Sequence, residues 1–190
     1  MADDLIGSVY TPDAGETPLL SLADVSILKA APLARISLRA REASLAEIGT
    51  AFGTSIPTRP LTAETAQGRA ALWLGPDEWL LLASEADLEP IQTSIADKLG
   101  AQPHALVDVS DRQDALIVTG SKAEWLLNSG IPIDLDITAF PVGMVTRTLF
   151  HKAPVMVLRT GSETYVVEAW GSFMDYVTGL LLEASEELAV

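Results

Sequence analysis

The chain has 190 residues, no cysteine, and a formal charge of −14 from 12 basic and 26 acidic side chains. A chain of this size buries roughly 70% of the surface its unfolded form would expose, so it needs no disulfide or structural metal to fold. The absent cysteine excludes thiol nucleophiles, disulfide frameworks, Cys-ligated zinc and iron–sulfur clusters, and the negative charge argues against nucleic-acid or anionic-membrane partners.

That charge coexists with 48% hydrophobic residues, so acid and apolar surface must be segregated. Residues 1–32 carry five acids and one base, Lys29; residues 33–69 carry five arginines and three acids; residues 163–190 carry six acids and no base. The first segment, with Pro12, Gly15 and Pro18, shows no sustained period and reads as an extended N-terminal arm over 1–32. Its opening MADDLIGSVY lacks both the basic and the apolar regions of a targeting peptide, and no apolar run is long enough to span a bilayer. A cytoplasmic protein is expected.

Leu33 to Ala40 alternate, with Ile36, Leu38 and Ala40 on one side and Arg35, Ser37 and Arg39 on the other, as in a half-buried strand. Residues 43–52 read as a short helix stopped by Gly53, and Ile56-Pro57 follows. The clearest local signal is Ala70 to Leu74 and Trp79 to Ala83 flanking Gly75-Pro76-Asp77-Glu78, a β-hairpin with proline suited to the first central turn position. Its strands are apolar at nearly every position, so both faces of the sheet should be covered. Residues 86–99 carry Leu88, Ile91, Ile95 and Leu99 at helical spacing between a capping Ser84 and Gly100.

The order then repeats. Ala115 to Val118 is a strand, Ser121 to Asn128 a helix starting at a cap, and Ile131-Pro132 echoes Ile56-Pro57. Strands follow at 144–150, 154–160 and 164–169, and then a helix capped by Ser172 with Phe173, Val177, Leu180 and Leu181 as its apolar stripe. The expected fold class is α+β: a pseudo-duplicated antiparallel sheet with packed helices, forming a single domain over 33–184 from halves 33–100 and 113–184, with an acidic tail at 185–190.

Sequences for nucleotide-fold, P-loop, nucleophile-elbow and zincin sites are absent. His104 and His151 stand alone and read as structural or surface residues. Asp108, Asp111 and Asp114 share a three-residue spacing but lack the glycine and terminal glutamate of a calcium loop, so Asp108-Val109-Ser110 reads better as a turn. Asp134 and Asp136 read as edge-strand carboxylates. Arg35, Arg39 and Arg41 would form a cationic stripe able to meet an acidic partner or to pair with the chain's own acids. Trp73 and Trp79 in the hairpin are either interface or core residues. These five are the interface candidates; no catalytic, cofactor-binding or metal-binding residue is assigned.

The run Ala71 to Ser84, ALWLGPDEWLLLAS, resembles the gamma subunit family of heterotetrameric sarcosine oxidase, as do Ala105 to Asn128, Arg147 to Phe150 and Tyr165 to Trp170. The middle segment more distantly resembles the glycine-cleavage aminomethyltransferases, in which a D-V-S-H stretch precedes a strand. Asp108-Val109-Ser110 matches that stretch, and Asp111 stands where the histidine would be. The resemblance implies a folate-binding, aminomethyltransferase-like α+β fold without its catalytic equipment. It further implies a non-catalytic structural subunit, beside alpha, beta and delta subunits, of a flavin-dependent complex that oxidatively demethylates sarcosine to glycine. FAD, FMN, NAD, zinc and tetrahydrofolate would belong to the partner subunits. A free-standing folate-binding aminomethyltransferase-like protein and an interaction module for an acidic ligand are the alternatives.

Overall fold

The computed structural model describes residues 8–188. In chain order the elements are β1 (Leu20–Ser21), β2 (Ser26–Lys29), β3 (Ala34–Ala40), α1 (Leu45–Phe52), β4 (Ala63–Ala66), β5 (Arg69–Gly75), β6 (Glu78–Ala83), α2 (Leu88–Leu99), β7 (His104–Asp108), β8 (Gln113–Thr119), α3 (Ala123–Asn128), β9 (Val145–Phe150), β10 (Ala153–Gly161), β11 (Thr164–Trp170) and α4 (Gly171–Ser185). The chain divides into two compact units, one formed by the continuous stretch Pro32–Ser110 with residues 8–9 added to it, and a discontinuous one made of Tyr10–Ala31 with 111–188. No helix among the described residues is long and apolar enough to cross a membrane.

In the continuous unit an antiparallel sheet has the order β4-β5-β6-β3-β7. The hairpin forms where expected, with Trp73 opposite Trp79 and the turn at Pro76-Asp77. One face of the sheet presents Ile36, Leu38, Ala71, Trp79 and Leu81 to Leu45, Ile48 and Phe52 of α1 and to Ile91, Ile95 and Leu99 of α2. These helical positions recur at three- and four-residue spacing, which gives each helix one apolar stripe. Gly53 and Gly100, at φ of +90° and +53°, end the two helices in conformations that disfavour a side chain. The opposite face is also buried, with Leu72, Leu80 and Leu82 at most 2% exposed.

The discontinuous unit carries the antiparallel order β1-β2-β8-β11-β10-β9. Strands β8, β10 and β11 present Leu116, Val118, Val155, Val157, Tyr165 and Val167 to a core closed by Leu126 and Leu127 of α3 and by Met174, Val177 and Leu181 of α4. The spatial order of β9, β10, β11 and β8 reproduces that of β4, β5, β6 and β3, so the repeated order in sequence is also a repeated order in space. The fifth strand departs from it. β7, which immediately precedes β8 in the chain, pairs with β3, whereas β2, which immediately precedes β3, pairs with β8.

The extended arm is therefore corrected over the described part of 1–32; residues 1–7 lie outside the described residues. Ile27 sits opposite Val118 and is fully buried, Val25 and Tyr10 are at most 3% exposed, and Pro12 bridges Ala30. The backbone groups of β8 on this side need a partner, and β2 supplies it; four residues are too few to show a period. Gly120 makes the approach feasible. Its φ is +124°, and a Cβ there would lie 2.3 Å from the Asp24 carbonyl oxygen.

Other boundaries also shift. Ser84, Ser121 and Ser172 make no side-chain cap: α2 is led in by a 3₁₀ turn closed by Asp87 N–H donating to the Ser84 carbonyl at 3.0 Å, α3 starts at Ala123, and α4 starts at Gly171 straight out of β11. The acidic tail begins within structure, since Ser185 ends α4 and Glu186–Leu188 adds a 3₁₀ turn; residues 189–190 lie outside the described residues.

Candidate functional site

The arginine stripe does not form as a stripe. Arg35 lies on the second, buried face of the β3 sheet and is 3% exposed, with Nη1 donating to the Leu33 carbonyl at 3.3 Å. The alternation of β3 was read as core against solvent, but both faces of this sheet are covered, so the position opposite Ile36 and Leu38 is interior. Arg39 is exposed and forks onto two acids of the hairpin turn: Nη1 donates to Asp77 Oδ1 at 2.8 Å and Nη2 to Glu78 Oε2 at 2.9 Å. This is the intramolecular pairing of the two weighed for the stripe. Arg41 is exposed, and its side chain makes no hydrogen bond or ion pair among the described residues.

Arg39 and Arg41 nevertheless share a solvent-open recess of about 440 Å³ with Glu42, Pro76, Asp77 and His104. The end of β3, the β5–β6 turn and the start of β7 converge there because Arg39 is paired in register with Glu78 on one side and with Ala105 on the other. His104 Nδ1 lies 2.8 Å from the Gln102 carbonyl oxygen. A carbonyl only accepts, so Nδ1 carries the proton in the neutral ring, and Nε2 is left as the acceptor. The recess offers one unpaired guanidinium and one imidazole nitrogen beside the two carboxylates of Glu42 and Asp77, a set suited to polar recognition and without an activated nucleophile. A second recess, of about 740 Å³, follows α1 between Leu45, Gly49, Thr54 and Ile56.

The hairpin tryptophans divide. Trp79 is 1% exposed and donates from Nε1 to the Pro57 carbonyl at 2.7 Å, which makes it a core residue; Trp73 is half-buried against the same core. Asp108 forms the expected turn, accepting from the Ser110 amide at 2.9 Å and from its hydroxyl at 2.6 Å. Asp134 and Asp136 stand in a loop and not on an edge strand. Asp136 accepts from both the hydroxyl and the amide of Thr138, at 2.6 and 2.8 Å, and these bonds hold its carboxyl below the ordinary carboxylate pKa. His151 occupies the tight β9–β10 turn at φ +50° beside the Phe150 ring. Among the described residues no group of three His, Asp or Glu side chains is placed to hold a metal.

Two buried polar centres were not anticipated. Arg159 on β10 is 3% exposed, and its guanidinium donates to the carbonyls of Leu135 at 2.9 Å, Phe140 at 3.1 Å, Gly161 at 3.2 Å and Ser162. It lies 4.8 Å from the centre of the Tyr165 ring, whose hydroxyl donates to the same Leu135 carbonyl at 3.0 Å. Burial pushes the Tyr165 hydroxyl up to about 12, against the opposing pull of Arg159. Glu168 on β11 is fully buried and accepts from the Tyr10 hydroxyl at 2.8 Å and from Gln113 Nε2 at 3.2 Å. The signal for both was a single charge inside an apolar strand, in VMVLRTG and in YVVEAW.

The chain's relatives give this architecture a context. The profile of the sarcosine oxidase, gamma subunit family matches residues 39–187. Sarcosine oxidase subunit gamma of Corynebacterium sp. (strain U-96) is 30% identical over 170 residues, covering 87% of this chain and 81% of that one. The Arthrobacter sp. subunit is 32% identical over 145 residues, or 76% and 70% of the two chains. Among solved structures, a chain of heterotetrameric sarcosine oxidase from Corynebacterium sp. U-96, in complex with pyrrole 2-carboxylate, superposes with a TM-score of 0.81 at 27% identity, covering 100% of this chain and 93% of that one. Aminomethyltransferase T of the glycine cleavage system from Bartonella henselae shares the fold, at a TM-score of 0.61 and 10% identity over 84% of this chain and 46% of its own. By these matches the chain belongs to the sarcosine oxidase gamma subunit family.

Proposed function

We propose that this chain is the gamma subunit of a heterotetrameric, flavin-dependent sarcosine oxidase, acting in the cytoplasm beside alpha, beta and delta subunits and supplying folded surface instead of catalytic groups. The observation that carries this reading is that the likeness to a chain of the heterotetramer spans the whole of the sequence. The arrangement of the polar groups is consistent with it. The buried cation and the buried carboxylate are occupied in holding segments of the fold together, and the exposed Arg39 is clamped by its own hairpin. Flavin, NAD, zinc and folate chemistry would reside on the partner subunits, and no step of the reaction is routed through a residue of this chain. At the place where the aminomethyltransferase resemblance would put a histidine, Asp111 lies exposed in a 3₁₀ turn.

The test is the native mass and visible spectrum of the affinity-tagged chain recovered from its own cells. A yellow assembly of four different chains that consumes oxygen with sarcosine is the expected result. A colourless species of the chain's own mass overturns the reading. Tight tetrahydrofolate binding by that species, with turnover of an aminomethyl donor, would establish the aminomethyltransferase-like alternative.

A further inference from the structure

The discontinuous unit leaves one flank of α4 uncovered. Trp170, which ends β11, is 50% exposed, and its ring lies 6.3 Å from that of Phe173, centre to centre. Tyr176 follows at 41% exposed. The buried seam of the helix is Met174, Val177, Leu181 and Ser185. At 3.6 residues per turn, Phe173, Tyr176, Leu180 and Ala184 fall together on a side displaced from that seam. Phe173, Leu180 and Ala184 each touch the core with part of their surface and leave the rest open. Large rigid aromatic groups of this kind anchor interfaces, because they bury much area while losing little rotamer freedom.

Electrostatics narrows the occupant. Asp175, Glu183, Glu186 and Glu187 lie on α4 and its 3₁₀ extension, and no lysine or arginine occurs from residue 163 onward. Three of these four acids gather at the C-terminal end, where the helix dipole is already negative, so each adds to a like-signed pole. A second copy of this flank has no base to pair with these acids in either direction along the helix, and docked in parallel it would set the three C-terminal acids against their own counterparts. The chain's charge of −14 adds to that repulsion.

We propose that the flank formed by Trp170, Phe173, Tyr176 and Leu180 docks into an apolar groove, rimmed by basic side chains, on another subunit of the oxidase. This rests on the function proposed above. The test introduces Tyr176→Glu, and separately the pair Glu183→Lys with Glu187→Lys, into the tagged chain in its own cells in place of the natural copy. The affinity for the remaining subunits is measured at low and high salt. Tyr176→Glu is expected to weaken assembly by at least about tenfold. The charge-reversed pair is expected to weaken it at low salt and to flatten its salt dependence. Both should keep the wild-type circular dichroism; should Tyr176→Glu lose it, Trp170→Ser takes its place.

Assembly unchanged in the variants overturns the proposal, as does an isolated wild-type chain that dimerises and is made monomeric by Tyr176→Glu. A wild-type chain that retains no other subunit overturns the proposed function itself, and this surface with it.

Discussion

Replacing Arg159 with methionine removes the buried cation while keeping most of the volume of its stem. Four carbonyl acceptors, on Leu135, Phe140, Gly161 and Ser162, lose their donor, and the loop from 135 to 140 loses its tie to β10. Hydrogen bonds to a charged group contribute about 1.5–3 kcal/mol each. The sum is offset by the several kcal/mol no longer spent on desolvating the guanidinium, and by water reaching the carbonyls at the β10–β11 turn. We expect a net loss of about 3 kcal/mol, a large share of the roughly 5–15 kcal/mol that holds a domain. With a urea slope of about 2 kcal/mol per molar, the midpoint should fall by about 1.5 M. Arg159→Lys keeps the charge but not the planar fork and should lose about half as much. Hydrogen exchange of the β9, β10 and β11 amides locates the effect in the unit that contains Arg159. A loss below about 1 kcal/mol for Arg159→Met would refute the staple.

Gly120→Ala forces a Cβ to 2.3 Å from the Asp24 carbonyl oxygen at φ +124°, so it should cost at least about 3 kcal/mol and expose the β2 amides to exchange. Tyr165 has its hydroxyl pKa raised by burial from 10.0 to about 12. The stability it contributes is fully present below pH 10, where both states are protonated, and is lost as the unfolded state alone ionises between pH 10 and 12. Urea midpoints across that range should fall, and less steeply in Tyr165→Phe. Asp136 behaves in the opposite sense: its carboxyl is held low by Thr138, so its contribution is present above the unfolded value of 3.8 and is lost as pH falls through the folded one. Thr138→Val should return its titration, followed by NMR, toward 3.8.

What could be read from the sequence was what neighbours in the chain decide among themselves. The GPDE hairpin, the glycine stops at 53 and 100 and the stripes of α1 and α2 are local, and they formed where their spacing put them. The repeated order of strands and helices was legible for the same reason. What could not be read was decided at a distance. Ser26–Lys29 is a strand because β8 lies beside it, and nothing in SILK announces that partner. Arg35 is interior because the face it shares with Leu80 and Leu82 is covered, a fact that alternation in β3 cannot encode. The serines expected as caps failed to act because the preceding chain enters each helix from a turn or directly from a strand, which fixes the first turn elsewhere. Of the five interface candidates, Arg39 and Arg41 share a recess, Arg35 and Trp79 are buried, and Trp73 is half-covered.

The exchange of fifth strands also sets a timetable for synthesis. Everything β3 needs is made by the time β7 has left the ribosome, so the segment from 32 to 110 can close while the rest of the chain is still being translated. β2 is made early and waits longest. Roughly eighty residues separate it from β8, several seconds at the usual rate of elongation, during which β2 has only β1 beside it and its other edge lacks β8. Its brevity is then an asset: four residues, with Lys29 at the end, make a poor template for pairing with another chain.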